Sequence, residues 1–325
     1  MKMVKMSHSD EIREAYLFQE DLLKKHQGKV FDELFKGEWF KTAHGPCYKI
    51  EESCKLKMKT LDQKKARSHI LNDIKLIPGI GNSKERTLKD KGYKNIEDLA
   101  NHPHFSLKAT KFLNNLEKSP NSLNSFISRR YSGSHPHIIL ASCFVDVDDF
   151  LFFDIETLGL KDLPVILIGM ARVSGNRVDV KQYLSTELKE EKALLANFLQ
   201  DVDENTIFVS FNGRSFDLPF IKSRLYNHGI KAAELNHHHL DLLHFSRRMW
   251  GDQLPNCRLQ TLEKHLLGIK REEDVPSSMV PEFYQKYLKT GNIGPLIPIV
   301  EHNRLDVITL AKILSELYKE VDPDN

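Results

Sequence analysis

The residues best suited to chemistry are acids placed where a fold has to bury them. Asp154-Ile155-Glu156 ends the apolar run Phe150-Leu-Phe-Phe153. Alternate residues of a strand project to the same face, so the two carboxylates point together. Like charges crowded into a poorly solvated place resist ionisation unless a cation lies between them. A central strand ending in paired acids therefore calls for a metal ion. Two further segments carry single acids. In Ser210-Phe-Asn-Gly-Arg-Ser-Phe-Asp217 a strand-like run meets an Asn212-Gly213 turn, and Asp217 opens the next helix, where it could equally be a cap. In Val300-Glu-His-Asn-Arg-Leu-Asp306, His302 and Asp306 are four apart and share a helical face. Leu305, Ile308, Leu310 and Leu314 pack around them, and a solvated polar face is the plain alternative. Asp241 could line a site but reads more readily as a cap. The run His237-His238-His239 reads as a polar loop, because adjacent residues of any regular element point in different directions. Arg247, Arg248 and Arg258 could steer phosphates, with solvated surface as their default.

A second chemistry lies upstream. From Lys55 to Arg130 there are 17 Lys plus Arg against 7 Asp plus Glu, a net of +10 in a chain whose total is +2, which leaves −8 elsewhere. A basic block beside an acidic remainder fits one part that meets a polyanion and one that gathers cations. Inside the block, the segment Ile74–Leu88 resembles the helix–hairpin–helix motif, with Pro78-Gly79-Ile80-Gly81 between two short helices. Gly79 and Gly81 permit unusual backbone angles and let peptide N–H groups approach a phosphate. A helix starting near Asn82-Ser83 turns its N-terminal dipole toward an anion, and Lys84 and Arg86 add charge there. Leu76, Ile80, Leu88, Ile96 and Leu99 would form the motif's small core. Gly79, Ile80, Gly81, Ser83, Lys84 and Arg86 are thus the candidate nucleic-acid contacts. Such contacts grip the backbone and read no base sequence.

The elements that must position the acids follow from hydrophobic period. Phe150–Glu156, Val165–Val173 and Arg177–Leu184 read as strands, the last two joined by a Ser174-Gly-Asn176 hairpin turn. Glu187–Leu199 reads as a helix, Thr206–Phe211 as a buried strand, Phe216–Tyr226 as a helix, and His239–Leu243 as a last short strand. That order predicts an α/β fold with a mixed sheet, antiparallel at its start and parallel after it, flanked by helices. Three regions result: residues 1–70 of no assignable role, a helical region at 71–130, and the α/β unit at 144–320, with the turn-rich Tyr131–His137 as linker. The first region holds a polar helical stretch (Ile12–Lys25) and a strand-like piece around Cys47–Glu51.

Taken in order, the three acidic segments resemble the DEDD family of 3′–5′ exonucleases on the ribonuclease-H-like fold: D-x-E, a middle Asp, then a His or Tyr before a final Asp. The resemblance covers roughly residues 144–320. Leu254–Glu263 and His302–Val307 are similar to the YprB-type members of that group. The resemblance implies hydrolysis of phosphodiester bonds in DNA or RNA, with Asp154, Glu156, Asp217 and Asp306 binding two Mg²⁺ or Mn²⁺ ions and His302 as general base. In histidine-type members the His precedes the Asp by five residues. Here the spacing is the four of the tyrosine type, which moves His302 toward a scaffold role. A structure-specific endonuclease on the same fold, and an inactive nucleic-acid-binding protein, are the competing expectations.

Cys47, Cys54, Cys143 and Cys257 form no CxxC pair, which fits reduced thiols better than disulfides or a zinc site. No apolar run approaches the roughly 20 residues of a membrane span. The first residues lack the apolar segment of a secretory signal, so a cytoplasmic location is expected.

Overall fold

A computed structural model describes residues 8–118, 120–232 and 235–322. The chain divides into two compact units. One draws on residues up to Lys57, Phe150–Asp241 and Leu259–Ala311, the other on Met58–Asp149, Leu242–Arg258 and the residues from Lys312 onward.

The first unit is built on a seven-stranded sheet: β1 (Gly37–Thr42), β2 (Gly45–Lys55), β3 (Phe150–Thr157), β4 (Val165–Ser174), β5 (Arg177–Leu184), β6 (Ile207–Ser210) and β7 (His239–Asp241). Their order across the sheet is β1-β2-β5-β4-β3-β6-β7. Pairing is antiparallel from β1 to β3 and parallel from β3 through β6 to β7. The expected antiparallel start and parallel remainder are both present. Strand β3 is central, and its period-two pattern sorts its side chains. Leu151, Phe153 and Ile155 enter a core cluster with Leu194, Leu195, Phe198, Phe220 and Ile221, supplied by the helices Glu191–Gln200 and Asp217–Asn227. Asp154 and Glu156 therefore fall on the opposite face. A second core cluster forms from Tyr48, Ile50, Ile166, Leu167 and Leu184 with Phe283, Tyr284, Leu296 and Ile299 of the helices Val280–Thr290 and Leu296–Glu320.

The N-terminal residues differ from expectation. They do not form a region apart: β2 pairs with β5 along Tyr48–Lys55, and β1 folds back on β2. The reason is the edge of β5, whose outward amides would otherwise lack partners. Cys47, Tyr48 and Ile50 are buried by this addition. The second unit contains the segment read as a hairpin between helices. Helix Gln63–Asn72 and the 3₁₀ turn Ile74–Leu76 precede the Ile77–Gly81 turn, and helix Asn82–Asp90 follows. Leu76, Ile80, Leu88, Ile96 and Leu99 are all buried, as the small core requires.

Candidate functional site

Three segments of the first unit bring the acids together. Asp154 and Glu156 lie at the C-terminal end of β3. Because β6 runs parallel to β3, the loop after β6 emerges at the same edge and carries Asp217 back toward that end. The Asp217 carboxylate does not cap its helix; its Oδ1 accepts a hydrogen bond from the Ile155 N–H at 3.2 Å. The loop between them is tight. Asn212 has φ +67, and a Cβ on Gly213 would lie 2.7 Å from Ser210 Cβ and 3.1 Å from Asp217 Oδ2. Asp241, at the end of β7, holds this loop by accepting N–H bonds from Asn212 (2.8 Å) and Arg214 (3.3 Å).

The helix Leu296–Glu320 supplies the remaining groups. His302 Nε2 is 4.0 Å from Glu156 Oε1 and 3.7 Å from Asp306 Oδ2. Its Nδ1 is 2.7 Å from Asp274 Oδ1, and Ser277 Oγ is 3.3 Å from its Nε2. Asn303 is fully buried. Its Nδ2 donates to Asp154 Oδ2 (2.9 Å) and the Asp154 carbonyl (3.1 Å), while its Oδ1 accepts from Gln182 Nε2 (2.9 Å). Gly169 makes room for it. On the sheet Gly169 lies between Asp154 and Gln182, and a Cβ there would fall on the Asn303 amide. Asp306 is paired with the Arg271 guanidinium, which is also paired bidentately with Glu263.

The electrostatics follow from crowding. Burial raises Asp154 well above the usual carboxylate range, and Asp306, Asp217 and Glu156 add to it. Burial lifts Glu156 to about 8, with His302 opposing and Asp306 and Asp217 reinforcing. Asp217 is lifted to about 7 by burial, against backbone N–H bonds including that of Ile155. Burial also raises Asp306, although His302 and Arg271 oppose it. For His302 burial acts downward, but the bond to Asp274 and the charges of Asp306 and Glu156 prevail and raise it to about 9. Four hard-oxygen acids that cannot comfortably ionise together have the donor chemistry of a divalent-cation site. Among the described residues no group of three or more His, Cys, Asp or Glu is arranged so that it could hold a metal ion as it stands.

Of the residues the sequence singled out, Asp154, Glu156, Asp217, His302 and Asp306 are thus neighbours. Six others at the site were not singled out by the sequence. Gly169, isolated in an apolar strand, was the available signal of a close approach and points to Asn303. The inward position of Gln182 in an alternating strand was a weaker one. Glu263, Arg271 and Asp274 sit in a charged stretch with no spacing that marks them. Of the histidine run, His239 opens β7, as the short strand expected from His239 requires, and so leaves the polar loop read for the run. It is buried, and its Nε2 is 2.7 Å from Ser210 Oγ. Burial against the Phe153 and Phe208 rings explains why it joins the sheet.

In the second unit the turn has Gly79 at φ +99, and Gly81 leads into helix Asn82–Asp90 without a side-chain cap. Gly79, Gly81, Ser83, Lys84 and Arg86 are exposed, while Ile80 is buried in the core. Basic side chains brace the turn. Lys84 Nζ donates to the Gly79 carbonyl (3.1 Å), Lys108 Nζ to that of Pro78 (2.9 Å), and Arg130 to those of Lys75 and Ile80. Arg247, Arg248 and Arg258 are exposed, Arg248 donating to Ser132 Oγ at 2.8 Å. The four cysteines are free thiols. Among the described residues no helix is long and apolar enough to cross a membrane.

A Bacillus subtilis (strain 168) protein, YprB, itself described as uncharacterized, is 36% identical over 180 residues, 54% of this chain and 43% of that protein. The match thus spans less than half of that relative's length. E. coli Exonuclease I in complex with a 5cy-dT13 oligonucleotide superposes with a TM-score of 0.36 at 16% identity, over 52% of this chain and 42% of its own. The family B DNA polymerase of the hyperthermophilic archaeon Pyrobaculum calidifontis gives 0.38 at 11% identity, over 89% and 48%. Residues 151–318, more than half of the chain, match the RNase_H superfamily. With that match, the mixed sheet and its β3 centre, the chain belongs to the RNase_H superfamily.

Proposed function

We propose that the chain is a metal-dependent nuclease, a 3′–5′ exonuclease acting on DNA or RNA. The observation that carries the reading is the meeting of four carboxylates from three separate segments, Glu156 and Asp217 buried and Asp154 and Asp306 half-buried, with their mutual repulsion only partly offset. Asp154, Glu156, Asp217 and Asp306 would hold two Mg²⁺ or Mn²⁺ ions, which when bound supply a hydroxide at neutral pH and charge for the leaving oxygen. The chain's own residues do the rest. Asn303 fixes the Asp154 carboxylate, and the Ile155 N–H fixes that of Asp217. Asp274 holds His302 by Nδ1, so that Nε2 faces Glu156 and Asp306. Against burial, the charges of these acids keep the ring protonated; with cations held on Glu156 and Asp306 its pKa would fall, freeing Nε2 to take a proton from an attacking water. The 3′–5′ polarity rests on the DEDD resemblance of the motifs.

The Gly79–Arg86 turn is assigned to the nucleic-acid backbone. Its exposed N-terminal helix end and the +10 charge of its region support that role. The test is hydrolysis of an end-labelled linear strand beside a covalently closed circle, each as DNA and as RNA, with Mn²⁺. Shortening of the linear strand with an intact circle is expected. Cleavage of the circle would assign an endonuclease instead, and no hydrolysis of any substrate would leave a binding protein.

A further inference from the structure

Arg271 is built into the acid cluster. Its side chain is 5% exposed, and its guanidinium lies between three carboxylates. Nε donates to Glu263 Oε2 (2.8 Å) and Nη2 to Glu263 Oε1 (2.6 Å). Nη1 is 3.6 Å from Asp274 Oδ2, and Nη2 also reaches Asp306 Oδ1. Glu263 is itself buried and takes a further bond from Thr309 Oγ1 at 2.5 Å. The backbone on either side is unusual. Glu263–Leu267 is a π-helical turn closed by Gly268 at φ +64, and Glu273, a non-glycine, has φ +53. Both features are uncommon and have to be held by surrounding structure. Here they deliver Arg271 and Asp274 to the same place. Were Arg271 to leave, Glu263 would be a buried carboxylate without its charge partner.

We infer that Arg271 is a resident counter-cation that competes with divalent ions for Asp306, and so sets the metal concentration at which the site fills. The inference rests on the metal-binding reading of the four acids. A fixed guanidinium offsets part of the negative charge in the absence of metal, takes one oxygen of Asp306, and repels any ion arriving beside it. Asp154 and Asp217 have no such partner among the described residues: their hydrogen bonds come from Asn303 and from backbone N–H groups.

Mn²⁺ titration by calorimetry tests this without reference to turnover. Arg271→Met combined with Glu263→Gln removes the buried pair together, so no unpaired charge remains, and thermal melting checks that the variant is folded. Mn²⁺ affinity should rise roughly threefold or more: the pair carries no net charge, but the guanidinium removed takes an oxygen of Asp306 directly. In an Asp306→Asn background the same pair of substitutions should have little effect. Unchanged or weaker Mn²⁺ binding in the folded double variant would overturn the competition and leave Arg271 as support for Asp306 alone. If that variant does not fold, Arg271→Lys decides: a compact ammonium cannot span Glu263 and Asp306 together, so Mn²⁺ binding should tighten, and no change would contradict the inference. A wild type that binds no Mn²⁺ would instead sink the metal-site reading beneath it.

Discussion

Asn303 shows how much of the site depends on residues that carry no charge. Its amide joins Asp154 to Gln182 across the space above Gly169, and each of the three conditions needs the others. A methyl at position 169 would stand 2.7 Å from Asn303 Cγ. Gly169→Ala should therefore destabilise the fold by about 1–3 kcal/mol, the range for overpacking a filled interior, as read from urea unfolding. A cost near zero would mean that Asn303 is not seated on the glycine. Asn303→Ala keeps that space open but frees the Asp154 carboxylate. Its Mn²⁺ affinity should drop by about 10–100-fold, as for other groups that orient a metal ligand. Calorimetric binding equal to wild type would show that Asp154 needs no such support.

At the scale of elements, the legibility of the site followed the regularity of its carriers. β3 was readable because four apolar residues lead into two acids in period two, and β4 and β5 because a glycine turn separates two strand patterns. The helical pair His302 and Asp306 was readable from its spacing. Glu263, Arg271 and Asp274 were not, because they hang on a π turn and a left-handed residue, and neither backbone leaves a periodic trace. β1 was missed and β2 was read only around Cys47–Glu51, because few of their residues are fully buried and the strand that β2 joins lies more than a hundred residues away. Local elements also carry their own pH dependence. Asp73 accepts from the Lys75 N–H at the start of its 3₁₀ turn and lies 3.0 Å from His137 Nε2, and Tyr131 donates to it. Burial acts to raise its pKa, but these partners prevail and hold it at about 2. A depressed carboxylate stabilises the fold above its unfolded pKa and loses that contribution as pH falls toward its folded value. Asp73→Asn should therefore be less stable than wild type at pH 6, with the gap closing between about pH 4 and pH 2. A gap that does not change across that window in chemical denaturation would contradict the pairing.

For the whole molecule, the separation of charge along the chain is the property with the widest consequence. The basic block at Lys55–Arg130 falls in one compact unit apart from its first residues, and the clustered acids fall in the other. If the Gly79–Arg86 turn grips phosphates, binding to duplex DNA should weaken steeply with salt, by a slope of about 0.9 per phosphate contacted. Replacing Lys84 and Arg86 together with Ala should lower that slope by up to about 2 and weaken all sequences alike. An unchanged slope would remove this turn from the interface. Metal-dependent hydrolysis at the four acids is tested most directly by the release of nucleotides from a 5′-labelled strand by the wild type and by Asp154→Asn and Asp217→Asn, each with Mn²⁺ and with chelator. A ladder shortening from the 3′ end is expected in the wild type with Mn²⁺ alone, and background in the five other conditions. Activity that survives chelation, or that persists in both folded variants, would contradict that assignment.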